Sequence, residues 1–358
     1  MENQIDIKNY KDVSHKICVC VSAHSSMYDY NEQKRIMENI FFRFENKKIM
    51  IFENYNEIVD FIESDCKKRH YSFYFIWLTR EEDRPLSLLK KLKRKEINNF
   101  KILSSEDYNW LLNQYFEFYL KTKKCDISKD ILKIGKFFVI NPLKNNRYRF
   151  YLGDVVLPQF YNDYTMIDEG PYEYQGVRLK KGDVVFDCGA HIGSFSALAL
   201  SKQCKVHAFE PIKDTYERLC ENLKLYGQNS VEINNVGLSN KSGEQRFYIY
   251  SAEHDARNGM MFPSLNNNIE MCGVTTIDEY VKKNEIDRVD FIKADIEGAE
   301  RIMLEGAQNT IHKFKPNISI CTYHYEDDPQ IIENLILNIS NEYTIIHKWK
   351  KIYAYVKC

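Results

Sequence analysis

One stretch limits the possible folds of this chain more than any other. The apolar run Val184-Val185-Phe186 leads directly into Asp187-Cys188-Gly189-Ala190-His191-Ile192-Gly193, and a helix-like run, Ser194 to Leu200, follows. Strand, glycine turn and helix in that order open an α/β sheet of the doubly wound kind. Gly189 and Gly193 let the backbone approach a ligand where a side chain would block it. Amides at the start of the following helix favour a polar or anionic group such as a carboxylate. Seventeen residues after Gly193, the next apolar run, Lys205–Phe209, has closed on Glu210-Pro211. An acidic side chain there accepts hydrogen bonds from ribose hydroxyls. The dinucleotide fingerprint G-x-G-x-x-G fits poorly, because His191 stands second after Gly189 and would crowd a pyrophosphate. A nucleoside ligand without a pyrophosphate fits better. The bare G-x-x-x-G spacing also arises from close packing of helix on strand; the carboxylate that closes the next strand is what favours a ligand.

Around this turn the pattern from Lys181 onward is regular. Candidate strands are Val184–Asp187, Lys205–Phe209, Val231–Asn235, Gln245–Tyr250, Asp290–Ala294, Asn317–Thr322, Tyr343–His347 and Ile352–Val356. Ile212, Tyr216, Leu219, Cys220 and Leu223 recur at helical spacing, and Gly227 stops that run. Thr276 and Glu279 form a capping-box pair, and Asp328-Pro329 opens a helix striped with Ile332, Leu335, Ile336 and Ile339. The short interval between the last two strands predicts a hairpin, which places one antiparallel strand in an otherwise parallel sheet.

The remaining sequence divides in two. At 358 residues the chain is long enough for two domains at roughly 150 each. Residues 1–130 alternate short apolar runs (Ile17–Val21, Lys48–Phe52, Tyr71–Leu78, Phe100–Leu103) with amphipathic ones (Lys34–Phe44, Ile58–Lys67, Pro85–Lys95, Tyr108–Tyr119), which predicts a smaller accessory α/β domain. No glycine precedes Gly135, so a glycine-rich phosphate loop is absent from that half. Its cluster Lys90, Lys91, Lys93, Arg94 and Lys95 reads as a solvated helix face. Residues 131–180 form a connector, with candidate strands Phe137–Ile140, Tyr148–Leu152 and Val155–Leu157 before the aromatic segment Asp168–Tyr174, and residues 181–358 form the third segment. Fifty basic against fifty-one acidic residues give a net charge of −1, so there is no global pull toward nucleic acid or an anionic membrane. Ten scattered cysteines, with Cys18 and Cys20 the only close pair, predict free thiols in a reducing cytoplasm. Met1–Tyr10 lacks an apolar core, so no secretory signal is expected, and Tyr71–Leu78 is far short of the roughly 20 residues of a membrane helix.

Six ordered motifs carry a further reading: Asp187–Gly193, Ala208-Phe209-Glu210-Pro211, Glu221-Asn222-Leu223, Asn235-Val236-Gly237-Leu238-Ser239, Thr275-Thr276-Ile277-Asp278 and Ile292-Lys293-Ala294-Asp295-Ile296-Glu297-Gly298-Ala299-Glu300. Together they resemble the FkbM-type S-adenosylmethionine-dependent methyltransferases over about half of the chain, from near Asp168 to the end. The resemblance implies a class I methyltransferase fold, a Rossmann-like doubly wound sheet ending in an antiparallel hairpin. It also implies O-methylation of a hydroxyl, on a sugar, glycan precursor or other natural product. For the donor S-adenosylmethionine it implies a loop of Asp187, Gly189, Ala190, His191 and Gly193, with Glu210 and Pro211 at the ribose and Asn235 to Ser239, Gly237 included, at the adenine side. Glu173 and Tyr174 fall to the donor's methionine end. Residues 1–130 lie outside the resemblance.

Methyl transfer to a hydroxyl requires alignment, exclusion of water and a group that takes the proton. Candidates cluster where the fourth and fifth strands end. Alternation along Asp290–Asp295 puts Lys293 and Asp295 on one face. Asp295 and Glu297 then form an acidic lip, and His324 is a base in the neutral range. Two readings stand for Lys293, a catalytic group or a local ion pair with Asp295 or Glu297. Glu297 and Gly298 also start a helix, with Glu300 at its positive end. Asp295 and Glu297 can touch a divalent cation, but the local oxygen ligands are too few for a closed site. Tyr172, Tyr174, Tyr323 and Tyr325 can stack on sugar rings, and Ser251–Met271 reads as an acceptor-side lid. The sequence therefore predicts a methyltransferase acting on a hydroxylated small molecule or glycan. The alternatives are a nicotinamide-dependent oxidoreductase, which the missing fingerprint disfavours, and a non-catalytic nucleoside-binding scaffold.

Overall fold

A computed structural model describes residues 16–22, 30–42, 44, 46–52, 55–68, 71, 73–78, 85–95, 97, 99–127, 131–140, 151–164, 166–167, 169–227, 230–249, 258–261 and 268–357. The chain divides into two compact units, Met1–Lys124 and Cys125–Cys358. Residues 131–180, read from the sequence as a connector, belong to the second.

In the first unit, β1 (Ile17–Ser22), α1 (Tyr30–Ile40), β2 (Lys47–Phe52), α2 (Tyr55–Lys68), β3 (Phe73–Leu78), α3 (Pro85–Arg94), β4 (Phe100–Ile102) and α4 (Ser105–Thr122) alternate along the chain. The four strands are parallel in the order β2-β1-β3-β4. Central β1 is covered on both faces, which is why Ile17 to Val21 is apolar at every position rather than at every second one. Cys18 and Cys20 point to the same face and pack as thiols beside Ile58, Ile62 and Ile76. A capping box between Ser104 and Asp107 fixes the start of α4.

The second unit opens with a small sheet of β5 (Asp126–Ile127), β6 (Ile131–Ile134) and β7 (Phe137–Ile140), followed by a π-helical turn at Leu152–Val156 that runs into α5 (Leu157–Tyr161). The strand expected at Val155–Leu157 is therefore helical. Pro158 in the first turn of α5 presets the helical φ, and burial of all five π-turn residues outweighs the β-propensity of the valines. Of the strand expected at Tyr148–Leu152, residues 148–150 lie outside the described residues and Leu152 is part of this turn. Asp168 also lies outside them.

The unit continues with β8 (Val184–Cys188), α6 (Ser194–Ser201), β9 (Lys205–Phe209), α7 (Lys213–Leu223), β10 (Val231–Asn234), β11 (Gly237–Leu238), β12 (Gly243–Ile249), β13 (Asn268–Thr275), α8 (Ile277–Lys283), β14 (Phe291–Ala294), α9 (Glu300–Glu305), α10 (Gln308–Phe314), β15 (Asn317–Cys321), α11 (Asp328–Ile339), β16 (Tyr343–Lys348) and β17 (Lys351–Val356). Seven of these strands lie in the order β10-β9-β8-β14-β15-β17-β16. All pairings are parallel except those of β17, which is antiparallel to both neighbours, as the short final interval predicts. This is a Rossmann-like, doubly wound sheet that ends in an antiparallel hairpin. β11, β13 and β12 form a separate sheet. Of the segment Ser251–Met271, residues 251–257 and 262–267 lie outside the described residues, Asn258 and Met260 line the cavity described below, and Asn268–Met271 is strand. The order reverses between β9–β8 and β8–β14, so the carboxyl ends of β8, β9 and β14 frame the crevice where such sheets bind ligands. Among the described residues no helix is long and apolar enough to cross a membrane.

Candidate active site

The crevice is shaped first by one glycine. In the parallel register of β8 and β14, Asp187 lies opposite Lys293 and Cys188 opposite Ala294. Gly189 follows with φ +76°, and a Cβ there would sit 1.9 Å from the Asp295 carbonyl oxygen. Only glycine allows the two strand ends to close in this way. Gly193 also has positive φ (+87°), but its Cβ would meet Leu219 at 2.6 Å, behind the turn, where α6 packs on α7. The two glycines predicted to act together therefore do different work. The turn's amides are also engaged: Gly189 and Ala190 donate to the Phe209 carbonyl, His191 to Glu210 and Gly193 to the Ala190 carbonyl. The turn meets the crevice as bare backbone rather than as a ring of free donors. Asn222 braces it from behind, donating to the Ile192 carbonyl at 2.7 Å.

Glu210 stands at the end of β9, buried, and accepts from the His191 and Ile212 amides at 3.1 and 3.0 Å. Burial pushes its carboxyl up to about 7 against the pull of those two amides. Asn235 does not face the crevice. Its side chain donates to the Glu210 and Pro211 carbonyls and ties the end of β10 to that of β9.

Charges at the end of β14 are compensated instead. Lys293 is 4% exposed; its ammonium lies 3.0 Å from Asp187 and donates to the Gly189 carbonyl. Asp187 also accepts from Ser196 at 2.6 Å. Of the two readings for Lys293, the ion pair is present, but with Asp187 rather than Asp295 or Glu297. Burial works against the Lys293 ammonium, yet Asp187 and Asp295 raise its pKa. Tyr172 lies with Lys293 over its ring at 5.2 Å and Lys351 at 4.6 Å, and its hydroxyl donates to Asp295 at 2.7 Å. Tyr323 donates to the other Asp295 oxygen at 3.3 Å. Burial opposes ionisation of Asp295, but Lys293, Lys351 and His324 hold its carboxyl well below the usual range.

Next along the turn, Glu297 has φ +54° and abuts Gly259, whose Cβ would lie 2.8 Å from that of Glu297. His324 sits between two carboxylates, with Nε2 3.4 Å from Glu297 and Nδ1 3.4 Å from Glu300. Burial alone would favour the neutral imidazole, but Glu297 and Glu300 drive its pKa far up. The two carboxylates favour the imidazolium over the unprotonated ring that a base acting near neutral pH requires. Burial lifts Glu297 to about 7, with His324 pulling the other way.

These groups surround one cavity of about 920 Å³, its open mouth included. It brings together Gly189, Ala190, His191, Glu210, Pro211, Gly237, Lys293, Asp295 and Glu297. Asp187, Gly193, Asn235 and His324 stand behind its wall as supports. Glu173 is elsewhere: it accepts from the Leu179 amide at 2.8 Å and pairs with Lys202 beside a different surface hollow, so the structure does not place it at the cavity. The sequence reading missed Tyr151, Glu169 and Phe247 in the wall and Lys351 behind Tyr172, whereas Met260, also in the wall, falls within the segment read as an acceptor-side lid. Tyr151 opens the π-helical turn and bonds His191 Nδ1 at 2.6 Å. The one available signal for Lys351 was a lysine at the head of an otherwise apolar final strand. Ligand atoms of Asp295, Glu297 and His324 lie within 4.8 Å of one another. Both Asp295 oxygens accept from tyrosine hydroxyls, whereas the two His324 nitrogens meet Glu297 and Glu300 only as charge contacts at 3.4 Å, outside hydrogen-bond geometry.

Residues 187–344 match the Methyltransferase FkbM domain. The hexuronic acid methyltransferase AglP of Haloferax volcanii is 29% identical over 171 residues, covering 47% of this chain and 68% of that one. The AMB antimetabolite synthetase AmbE of Pseudomonas aeruginosa is 26% identical in an alignment covering 38% of this chain and 8% of that one. Among solved structures, Methyltransferase FkbM from Methylobacillus flagellatus KT is 16% identical and aligns over 95% of this chain and 90% of that one, with a TM-score of 0.42. The carboxy-terminal unit thus carries the motif order, the seven-stranded sheet and the match to the Methyltransferase FkbM domain together.

Proposed function

We propose that this protein transfers a methyl group from S-adenosylmethionine to a hydroxyl of a sugar or glycan precursor. The observation that carries the reading is one cavity with Glu210 at its β9 end and the Asp295–Glu297 lip at its β14 end. The residues fit the donor. Glu210 is a buried carboxylate suited to a ribose diol, Gly189 keeps the β8 end free of a side chain, and Gly237, Leu238 and Phe247 offer a flat apolar flank for a base. When bound, S-adenosylmethionine supplies an electrophilic methyl group on a sulfonium.

The chain's own residues then have three tasks. Asp295, kept ionised by Lys293 and Lys351, sets a negative charge in the wall that complements a sulfonium. Tyr172 and Tyr323 fix the orientation of that carboxylate. Glu297 lines the cavity and accepts the hydroxyl proton as the new C–O bond forms, while the S–CH₃ bond pair stays on sulfur. Support for a saccharide acceptor comes from the similarity to a hexuronic acid methyltransferase and from Tyr323 exposed at the cavity. The free, mostly buried thiols support a cytoplasmic setting, and the near-neutral charge argues against a nucleic-acid acceptor.

The test is incubation with S-adenosylmethionine and a panel of methyl glycosides, uronates and nucleotide sugars, read as a mass gain of one methylene. A gain that requires the donor supports the reading. Intact acceptors across the panel, with no donor consumed, would favour the nucleoside-binding scaffold.

A further inference from the structure

The carboxylates of Glu297 and Glu300 approach His324 from opposite sides of the ring, each 3.4 Å from a different nitrogen. Neither contact has hydrogen-bond geometry, so the pairing is electrostatic: an imidazolium attracts both carboxylates, whereas a neutral imidazole carries no net charge to offer them. The exposures are graded. Side chains of His324 and Glu300 are 4% and 1% exposed and that of Glu297 is 20%, so only Glu297 opens on the cavity. Glu300 is fixed in turn by the Ile296 amide, which donates to its other oxygen at 2.8 Å. The Tyr323 ring lies against the imidazole at 4.2 Å.

We propose that His324 and Glu300 are a buried positioning pair for Glu297: Glu300 holds the imidazole as an imidazolium, and the imidazolium keeps Glu297 a carboxylate aimed at the acceptor hydroxyl. The inference rests on the methyl-transfer reading above for what Glu297 does, but not for the state of the three groups. The fixed charges around them are Asp295 on the same turn, Glu169 from the segment before β8, Lys293 on β14 and Lys351 on β17. Without a cation at His324, Glu297 would face Asp295 and Glu169 with two lysines already committed to Asp187 and to the Glu169 carbonyl. A like-charge environment drives a carboxyl toward its protonated form, which cannot accept a proton. Transfer moves one proton, from the acceptor oxygen to Glu297, and leaves His324 and Glu300 unchanged in charge.

The test needs no acceptor. In the full-length protein, ring-nitrogen NMR, assigned by the signals lost in His324→Gln, reports the protonation of His324. Carboxyl-carbon NMR reports Glu297. The wild type is expected to show His324 doubly protonated at pH 8. Glu300→Gln lowers the His324 titration by about one unit or more and raises that of Glu297 by about one unit, and Glu300→Asp restores both. A neutral His324 at pH 7 in the wild type would overturn the proposal, as would a Glu297 titration unmoved in both Glu300→Gln and His324→Gln. If the Glu300 variants do not fold, Glu297→Gln decides, because it too must lower the His324 titration. Titration of the wild type with S-adenosylhomocysteine separates the two claims: absent binding removes the methyl-transfer reading, whereas the NMR outcomes judge the pair alone.

Discussion

The two ends of the cavity use the same residue type in opposite ways. At the β9 end Glu210 is buried with two backbone amides and, among the described residues, no cation in an ion pair, and its carboxyl rises to about 7. At the β14 end Asp295 is ringed by Lys293, Lys351 and two tyrosine hydroxyls and stays ionised. One end leaves a carboxylate whose ionisation a ligand's hydroxyls can complete; the other carries its compensation within the protein. Ligand recognition and charge complementarity are thus assigned to different strand ends, and Gly189 is the hinge at which they meet.

The largest predicted effect removes the meeting point. Gly189→Ala puts a Cβ against the Asp295 carbonyl at a backbone angle that disfavours alanine, so the second unit should lose at least about 3 kcal/mol or fail to fold, read by thermal unfolding and soluble yield. Glu297→Gln should cost roughly 10²- to 10⁴-fold in methyl transfer while S-adenosylhomocysteine still binds, because only the β14 end has changed. Next is pH. Glu210 must release its proton to accept from a ribose diol, so affinity for S-adenosylhomocysteine should fall about tenfold from pH 8 to pH 6, with proton release seen by calorimetry in two buffers. The sign for stability is the reverse. A carboxyl raised in the folded state contributes stability that is complete below its unfolded value and lost as pH rises through about 7. The smallest effect on binding belongs to Gly193→Ala. It should destabilise the α6–α7 contact by about 1–2 kcal/mol, yet change affinity by less than about twofold, since Gly193 lies behind the wall. A large loss of affinity there would restore the two glycines to a single cradle.

Much of the fold was legible because the large sheet obeys local rules. Strand ends at Asp187, Glu210 and Asp295, the cap at Thr276 and the final hairpin all follow from patterns a few residues long. Among the elements that escaped, two show the physical reason most clearly. The valines at 155 and 156 look like strand, but Pro158 and burial make them helical. β13 has its apolar positions split between faces, with Ile269 and Met271 exposed and Cys272 and Val274 buried, so asparagine-rich text hid it. At the site, spacing locates a residue along the chain but not the side of the wall it faces. That is why Gly193, Asn235 and Glu173 were grouped with Glu210 although their partners are Leu219, two backbone carbonyls and Lys202. Tyr151, Glu169 and Lys351 come from distant segments, and only the folded chain brings them to Tyr172, His191 and Asp295.

The central claim is that the Gly189 turn and Glu210 together receive a ribose-bearing donor. Calorimetric titration of S-adenosylhomocysteine into the wild type and into Glu210→Ala tests it most directly. Saturable heat in the wild type, weakened roughly 10- to 100-fold in the variant, is the predicted result. Equal affinity in both proteins, or no binding to the wild type, would contradict it.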